Sequence, residues 1–469
     1  MKKMKYIIYL FVALFATTSC EDFLNITPDG QAKRDELLKT QYGIEDAMYG
    51  VYSQMRSTTL YGQELYYQAL EVMAHNLYCD GNTLIDPLGK FEYDNTNVKS
   101  LFESIWIAMY KNISNVNSVL DAPLVAEAKA FPYTVYRGEA LGLRAFMHFD
   151  LVRLFAEQYT INPEADGIPY ATEFSLNTPA FESLAKNYEH ILADLHEAER
   201  LLDNEEEYEG VGNYMLDRQI HFNKYAVWAT LARVYLTMGN NAKAAEYANK
   251  VILDGKYMLK EKTEVVNDLA GMLSKKECLF GIYYAGFYSL VNAKLQQMTS
   301  FYSLDLPDFM PKYEKDVSGT DYRVMAYFSE ASTGSGTKYR LSKFTDVYEM
   351  NNNVSNRPSD LILGINLIRI PEMYYIVAEA VLEENPEKAL EYYNEVRIHR
   401  GLEAINDKEL TIEMINDERY KEMIGEGQTY FNYKRQNLRI VSYDGQTTYE
   451  PSAGIYVIPV PDIENENRN

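Results

Sequence analysis

Cysteine is almost missing from this chain. Cys20, Cys79 and Cys278 are the only three in 469 residues, and no two stand as Cys-x-x-Cys. Zinc ribbons and thioredoxin-type redox motifs are thereby excluded. If Cys20 is modified, Cys79 and Cys278 are the one pair left for a disulfide, and the sequence leaves open whether they meet. Basic runs are missing too: past the N-terminus no cluster of Lys or Arg interrupts a formal net charge of −23. A phosphate backbone needs such clusters to displace its counterions, so no nucleic-acid partner is expected. No segment reaches the roughly 20 apolar residues that a membrane-spanning helix needs. The motifs His-Glu-x-x-His, Gly-x-Ser-x-Gly, Walker A and Gly-x-Gly-x-x-Gly are absent, and with them the common metalloprotease, hydrolase and nucleotide-binding signatures. The six histidines (His75, His148, His190, His196, His221 and His399) include no pair four apart on a helix to hold a metal. His148 stands in an apolar helical stretch and reads as a hydrogen-bonded core residue. No enzyme activity, metal or cofactor is expected.

What is present begins at the N-terminus. Lys2, Lys3 and Lys5 precede an apolar stretch of eleven residues, Tyr6–Ala16. That is too short to span a bilayer and fits the apolar region of a signal peptide. Thr17, Thr18 and Ser19 then lead into Cys20, which resembles a bacterial lipobox, with Thr17 where Leu is usual. The expectation is a lipoprotein signal peptide over 1–19, a lipidated Cys20 and a polar tether over 20–31. Acyl chains on one cysteine anchor a protein without a spanning helix.

Beyond Ala32 the apolar residues recur at helical spacing. Ile105, Met109, Ile113, Val116 and Leu120 form one stripe; Tyr188, Ile191, Leu195, Ala198 and Leu202 form another. Ala140, Leu143, Met147, Leu151 and Leu154, widened by Phe146, Phe149 and Phe155, predict a helix buried on most sides. Trp106 and Trp228 fall within such helices and read as core. An internal echo is more telling. "KAAEYANKV" (243–251) and "KALEYYNEV" (388–396) share six of nine residues, and each follows an alanine-bearing helix. Small residues at facing positions let antiparallel helices approach closely, the logic of tetratricopeptide pairs. The copies lie 145 residues apart, so the repeat is interrupted. Residues near 79–98 and 256–365, rich in Gly, Ser, Asn and aromatics, read as insertions. Within the second, "CLFGIYYAGFYSLV" looks partly extended, and "EASTGSGTKYRLSKF" and "MNNNVSNRPSD" look like loops.

Several segments, in order, resemble the SusD/RagB family of nutrient-uptake lipoproteins: "CEDFLNITPDG", "YGVYSQMR", "IWIAMYKNISNVNSVL", "GEALGLRAFMHFDLVRLF", "RIPEMYYIVAEAV", "YYNEVRIHRGL", "DERYKEMIGEGQTYFNYKRQ" and "YVIPVPDIENENRN". Where the family commonly has Arg-Trp-Phe-Asp, this chain has Thr429, Tyr430, Phe431 and Asn432. The resemblance implies a mainly α fold, a scaffold of four tetratricopeptide-like helix pairs with long loop insertions, as one SusD-like domain over 32–469. It implies a lipid-anchored outer-membrane protein facing the cell exterior. Such a protein captures oligosaccharides, or less often peptides, for a TonB-dependent, SusC-like transporter. A surface glycoside hydrolase and a helical-repeat interaction scaffold are the alternatives.

Glu418, Arg419, Glu422, Glu426, Lys434 and Arg435 read as ion pairs that fix helices. Sugar rings stack their CH faces on aromatic rings and bond their hydroxyls to amides and carboxylates, so a ligand site needs both kinds of group. Two stretches offer them: Phe91, Tyr93 and Asn95, with Asp94 and Asn97 beside them, and Tyr284, Phe287 and Tyr288, with Tyr283 adjacent.

Overall fold

A computed structural model gives the fold. It describes residues 34–77, 81–177, 179–261, 272–291, 321–333, 336–344, 353–357, 362–406 and 409–466, with a few single positions between. The principal helices are α1 (Gln41–Met55), α2 (Thr96–Leu120), α3 (Tyr133–Phe155), α4 (Leu184–Leu202), α5 (Lys224–Thr237), α6 (Asn241–Asp254), α7 (Ile370–Val381), α8 (Pro386–His399), α9 (Ile412–Met423) and α10 (Gln428–Arg435).

Most of these helices begin where the sequence supplies a cap. Asn95, Ser183, Asn223, Asn240, Asn385 and Thr411 accept a hydrogen bond from a backbone N–H of the first turn of α2, α4, α5, α6, α8 and α9. These bonds satisfy donors that the helix itself leaves orphaned. The echoed nonapeptides are α6 and α8. Both are capped by asparagine, and both carry a Lys–Glu pair three residues apart, Lys243–Glu246 and Lys388–Glu391. Each packs against the helix before it, and α6 packs against α7, so the two hairpins stack in succession. Tyr392 of α8 donates to Asn249 of α6 across that junction.

Helix α3 is buried along nearly its whole length. Its glycines let neighbours in: a Cβ on Gly142 would lie 2.4 Å from the Phe222 ring. A helix enclosed on all sides must satisfy its polar groups internally. Glu139 accepts from Tyr52 and Tyr214 at 2.7 Å. Arg144 forms two 2.7 Å bonds with Asp194 of α4. His148 donates through Nδ1 to the Arg144 carbonyl (2.9 Å) and accepts at Nε2 from Ala171 N–H (3.1 Å), as a hydrogen-bonded core histidine should. Burial lowers its pKa to about 3.

Strands are short. A two-stranded ribbon joins β1 (Asp166–Pro169) to β2 (Phe181–Ser183). β3 (Met272–Leu273) and β4 (Cys278–Tyr283) flank β7 (Ile362–Arg369), both antiparallel to it. The extended reading of "CLFGIYYAGFYSLV" holds for β4, and a short helix, Phe287–Val291, follows. "EASTGSGTKYRLSKF" is not a loop: β5 (Phe328–Thr333) and β6 (Gly336–Leu341) pair in register as a hairpin. Its Ser, Thr and Gly content hides strands whose hydrogen bonding is carried by backbone. The stretch 79–98 contains a helical turn, Ile85–Gly89.

Charged side chains join α9 and α10 to the rest. Glu418 meets Arg323, Arg397 and Lys421. Glu422 meets Arg369 and Arg400, Glu426 meets Arg369 and Lys343, and Glu379 holds both Arg419 and Arg435. Lys434 departs from the ion-pair expectation: its ammonium donates at 2.7 Å to the carbonyls of Arg153 and Ala156, at the C-terminal end of α3. Asn432 accepts from Arg419 and Arg435, so an amide does here what a carboxylate could do. Cys278 is a buried free thiol; Cys79 lies outside the described residues, as do residues 1–33.

Candidate ligand-binding cleft

The residues named from sequence meet different fates. Phe91 and Tyr93 are buried, 6% and 9% exposed, and are corrected from exposed platforms to core. The Phe91 ring packs edge-on against Tyr449 at 5.0 Å, and Tyr93 donates to the Ile455 carbonyl at 2.7 Å. The loop that carries them therefore closes over the C-terminal segment. Asn95 is spent as the cap of α2, accepting from Asn97 N–H at 2.9 Å. Phe287 is likewise core, 2% exposed, wedged between Tyr67 and Phe344. Tyr284 is half-buried, with the Arg56 guanidinium 5.6 Å from its ring, and Tyr283 is exposed. The Tyr288 side chain lies outside the described residues. Arg56 could not be found from sequence, because its contact with Tyr283 spans 227 positions.

The structure instead opens a cleft of about 440 Å³ beside α2, within the range of about 300–1,000 Å³ usual for small-molecule sites. One side of α2 supplies Trp106, Ile107, Tyr110 and Ser114. The Trp106 side chain is buried, as expected of core, but its indole also borders the cleft; Trp228 is half-buried at the core's edge.

The facing wall is the loop after β1, held at five points. Tyr110 O–H donates to the Pro169 carbonyl (2.7 Å), and His148 accepts from Ala171. Asn117 donates to the carbonyls of Ala171 (2.9 Å) and Glu173 (3.2 Å). Arg144 donates to the Thr172 carbonyl (3.0 Å), and Asp121 accepts from Phe174 N–H (3.1 Å). Tyr110 and Asn117 belong to α2, Asp121 follows its last residue, and Arg144 and His148 belong to α3, so two helices of the core fix the loop. The third side is the short helix Asp462–Glu466, tied in by Trp106 Nε1 donating to Glu464 at 3.2 Å.

The cleft mixes apolar and polar groups. Ile107 and Leu176 are exposed at the rim and Tyr110 is half-buried, while Glu173, Ser175, Asn177 and Glu464 bring acceptors and donors. No cation lines it among the described residues, and Arg144 behind the wall is paired with Asp194. Sequence reasoning missed this cleft because the loop and the C-terminal helix are remote from α2 in the chain. No cluster of His, Cys, Asp and Glu among the described residues could hold a metal ion.

Comparisons with known proteins agree with this architecture. Residues 22–236 match the family described as "Starch-binding associating with outer membrane", and residues 233–458 match the "SusD family". The chain is similar to SusD-like protein P2 of Formosa agariphila, 23% identical over 98% of this chain and 97% of the relative. Among solved structures it is similar to a SusD superfamily protein from Bacteroides thetaiotaomicron (TM-score 0.73, 22% identity, 90% of this chain and 97% of that one). It is also similar to a laminarin-binding SusD-like protein (TM-score 0.63, 18% identity, 85% and 91%). With the two family matches meeting end to end from residue 22 to 458, this chain belongs to the SusD/RagB family.

Proposed function

We propose that this protein is a cell-surface lipoprotein that captures neutral oligosaccharides, or in second place peptides, and passes them to a TonB-dependent, SusC-like outer-membrane transporter. The observation that carries the reading is the cleft: an aromatic and aliphatic surface beside amide, hydroxyl and carboxylate groups on a five-anchored loop, with no cation among the described residues to favour an anionic ligand. The laminarin-binding relative and the family description support a glycan over other ligands. A preorganised wall lowers the ordering cost of binding. The domain assignment, with 20–31 as tether and 32–469 as one body, belongs to the same proposal, as does lipidation of Cys20.

The runner-up, a glycoside hydrolase, has one observation in its favour: Glu173 and Glu464 share the cleft. Hydrolysis needs two carboxylates flanking the scissile bond, one of them a proton donor.

Replacing Tyr110 with Leu, and separately Asn177 with Ala, tests the site by calorimetric titration with oligosaccharides. Affinity is expected to fall by roughly 0.5–1.5 kcal/mol for the lost ring, with little change in melting temperature for Asn177→Ala. A double substitution of Tyr283 and Tyr284 by Ala serves as the other arm. If that variant alone loses affinity, the ligand sits at the loop face beside Arg56 and the cleft assignment is wrong.

A further inference from the structure

Behind Phe431, where the end of α3 meets α5, α7 and α10, lies a small cavity of about 40 Å³. A second, of about 20 Å³, shares Arg153, Thr237, Phe431 and Arg435 with it. Guanidinium and ammonium groups crowd these walls. Arg153, Arg233, Arg419, Lys434 and Arg435 are five cations. The carboxylates in contact with them are Asp150, Glu372 and Glu379, and Glu157, partly exposed, lines the smaller cavity. Positive charge is in excess inside a molecule whose formal net charge is −23.

Two donors here have no partner. Arg233 spends Nε and Nη2 on Glu372, at 2.7 and 2.5 Å, and its Nη1 meets nothing. Arg153 spends Nη2 on Asp150 and Nη1 on Gln428, stacks its guanidinium 3.7 Å from the Phe431 ring, and leaves Nε unpaired. Both side chains are more than nine-tenths buried, 8% exposed for Arg153 and 4% for Arg233, and both line the larger cavity. Buried donors on charged groups are costly to leave unpaired. Burial, and after it the charge of Arg153, lowers Lys434 to about 7. Water could fill the space, since a cavity needs only about 10–15 Å³ per molecule, but water leaves the charge excess uncorrected.

We propose that this cavity is a binding site for a small inorganic anion of the halide class, held by Arg153 Nε–H and Arg233 Nη1–H. The bound anion ties α3 to α5. It is independent of the ligand cleft, since none of its residues lines that cleft.

The test uses the intact mature protein and bromide. Crystals soaked in sodium bromide are expected to show an anomalous peak within hydrogen-bond distance of both nitrogens. Thermal melts at constant ionic strength are expected to run several degrees higher in bromide or chloride than in gluconate. Arg233→Lys keeps the charge opposite Glu372 but removes the second donor, and its melts should lose the halide dependence. Should that variant fail to fold, Arg153→Lys replaces it. Absence of an anomalous peak, or equal wild-type melting temperatures in the two salts, overturns the proposal.

Discussion

Glu139 shows how single residues hold this fold. It is fully buried on α3 and meets two tyrosine hydroxyls, Arg218 and His221. Burial alone would raise its pKa, but Arg218 and then His221 outweigh it and hold the carboxyl at about 2. Glu379, between Arg435 and Arg419, and Glu418, beside Arg323, are held against burial at about 2 in the same way. A glutamate in the unfolded chain titrates near 4.3. Between those values the unfolded state binds more protons than the native one, so stability rises with pH there. These glutamates are expected to make the melting temperature fall between about pH 5 and pH 2, and His148, buried neutral, extends the fall up to about pH 6.5. Glu139→Gln should cost about 3–5 kcal/mol in urea unfolding at pH 7, because Arg218 keeps only Glu205 as a partner, and should make the acid slope shallower. An unchanged acid slope in the variant would remove Glu139 from this account. At this scale the sequence was legible for the core and poorly legible for the site. Trp106, Ile105 and His148 follow from helical spacing. Phe91 and Tyr93 did not, because a loop of aromatic and polar residues looks the same whether it faces solvent or folds back onto Tyr449.

The elements were legible where their chemistry is local. The shared nonapeptide and the alanine-bearing helix before it lie within one helical hairpin, so α5–α6 and α7–α8 could be recognised as echoes. The β5–β6 hairpin could not, because pairing between its strands is carried by backbone groups that composition does not reveal. The cleft wall is a further case: its five anchors come from helices up to 59 positions away. Caps differ in what they support. Asn240 and Asn385 each bond one exposed first-turn N–H, so Asn→Ala at either is expected to cost about 1 kcal/mol. Asn223 accepts from Ala226 N–H and also donates to the buried carbonyls of Arg218 and Leu279. Its replacement by Ala should cost about 2–4 kcal/mol, the cap plus the carbonyls left unpaired. Equal losses at all three positions in urea titrations would mean that the Asn223 donors contribute nothing.

At the scale of the whole molecule, the proposed function divides the work: the helix pairs support, the loop-built cleft binds and the tether attaches. If Cys20 carries lipid, labelled palmitate enters the wild type but not Cys20→Ser, and a barrel transporter co-extracts with the wild type in mild detergent. Equal labelling of both would remove the anchor. The central claim is capture of a glycan without chemistry. It is tested most directly by incubating the purified protein with a panel of neutral oligosaccharides, filtering off the protein with whatever it holds, and chromatographing the filtrate and the released ligand. The account predicts that one class of glycan is depleted from the filtrate and recovered intact from the protein, with no shorter products at any time. Shorter products that vanish in Glu173→Gln or Glu464→Gln would make the protein a hydrolase, and a panel left wholly undepleted would contradict the glycan-binding claim.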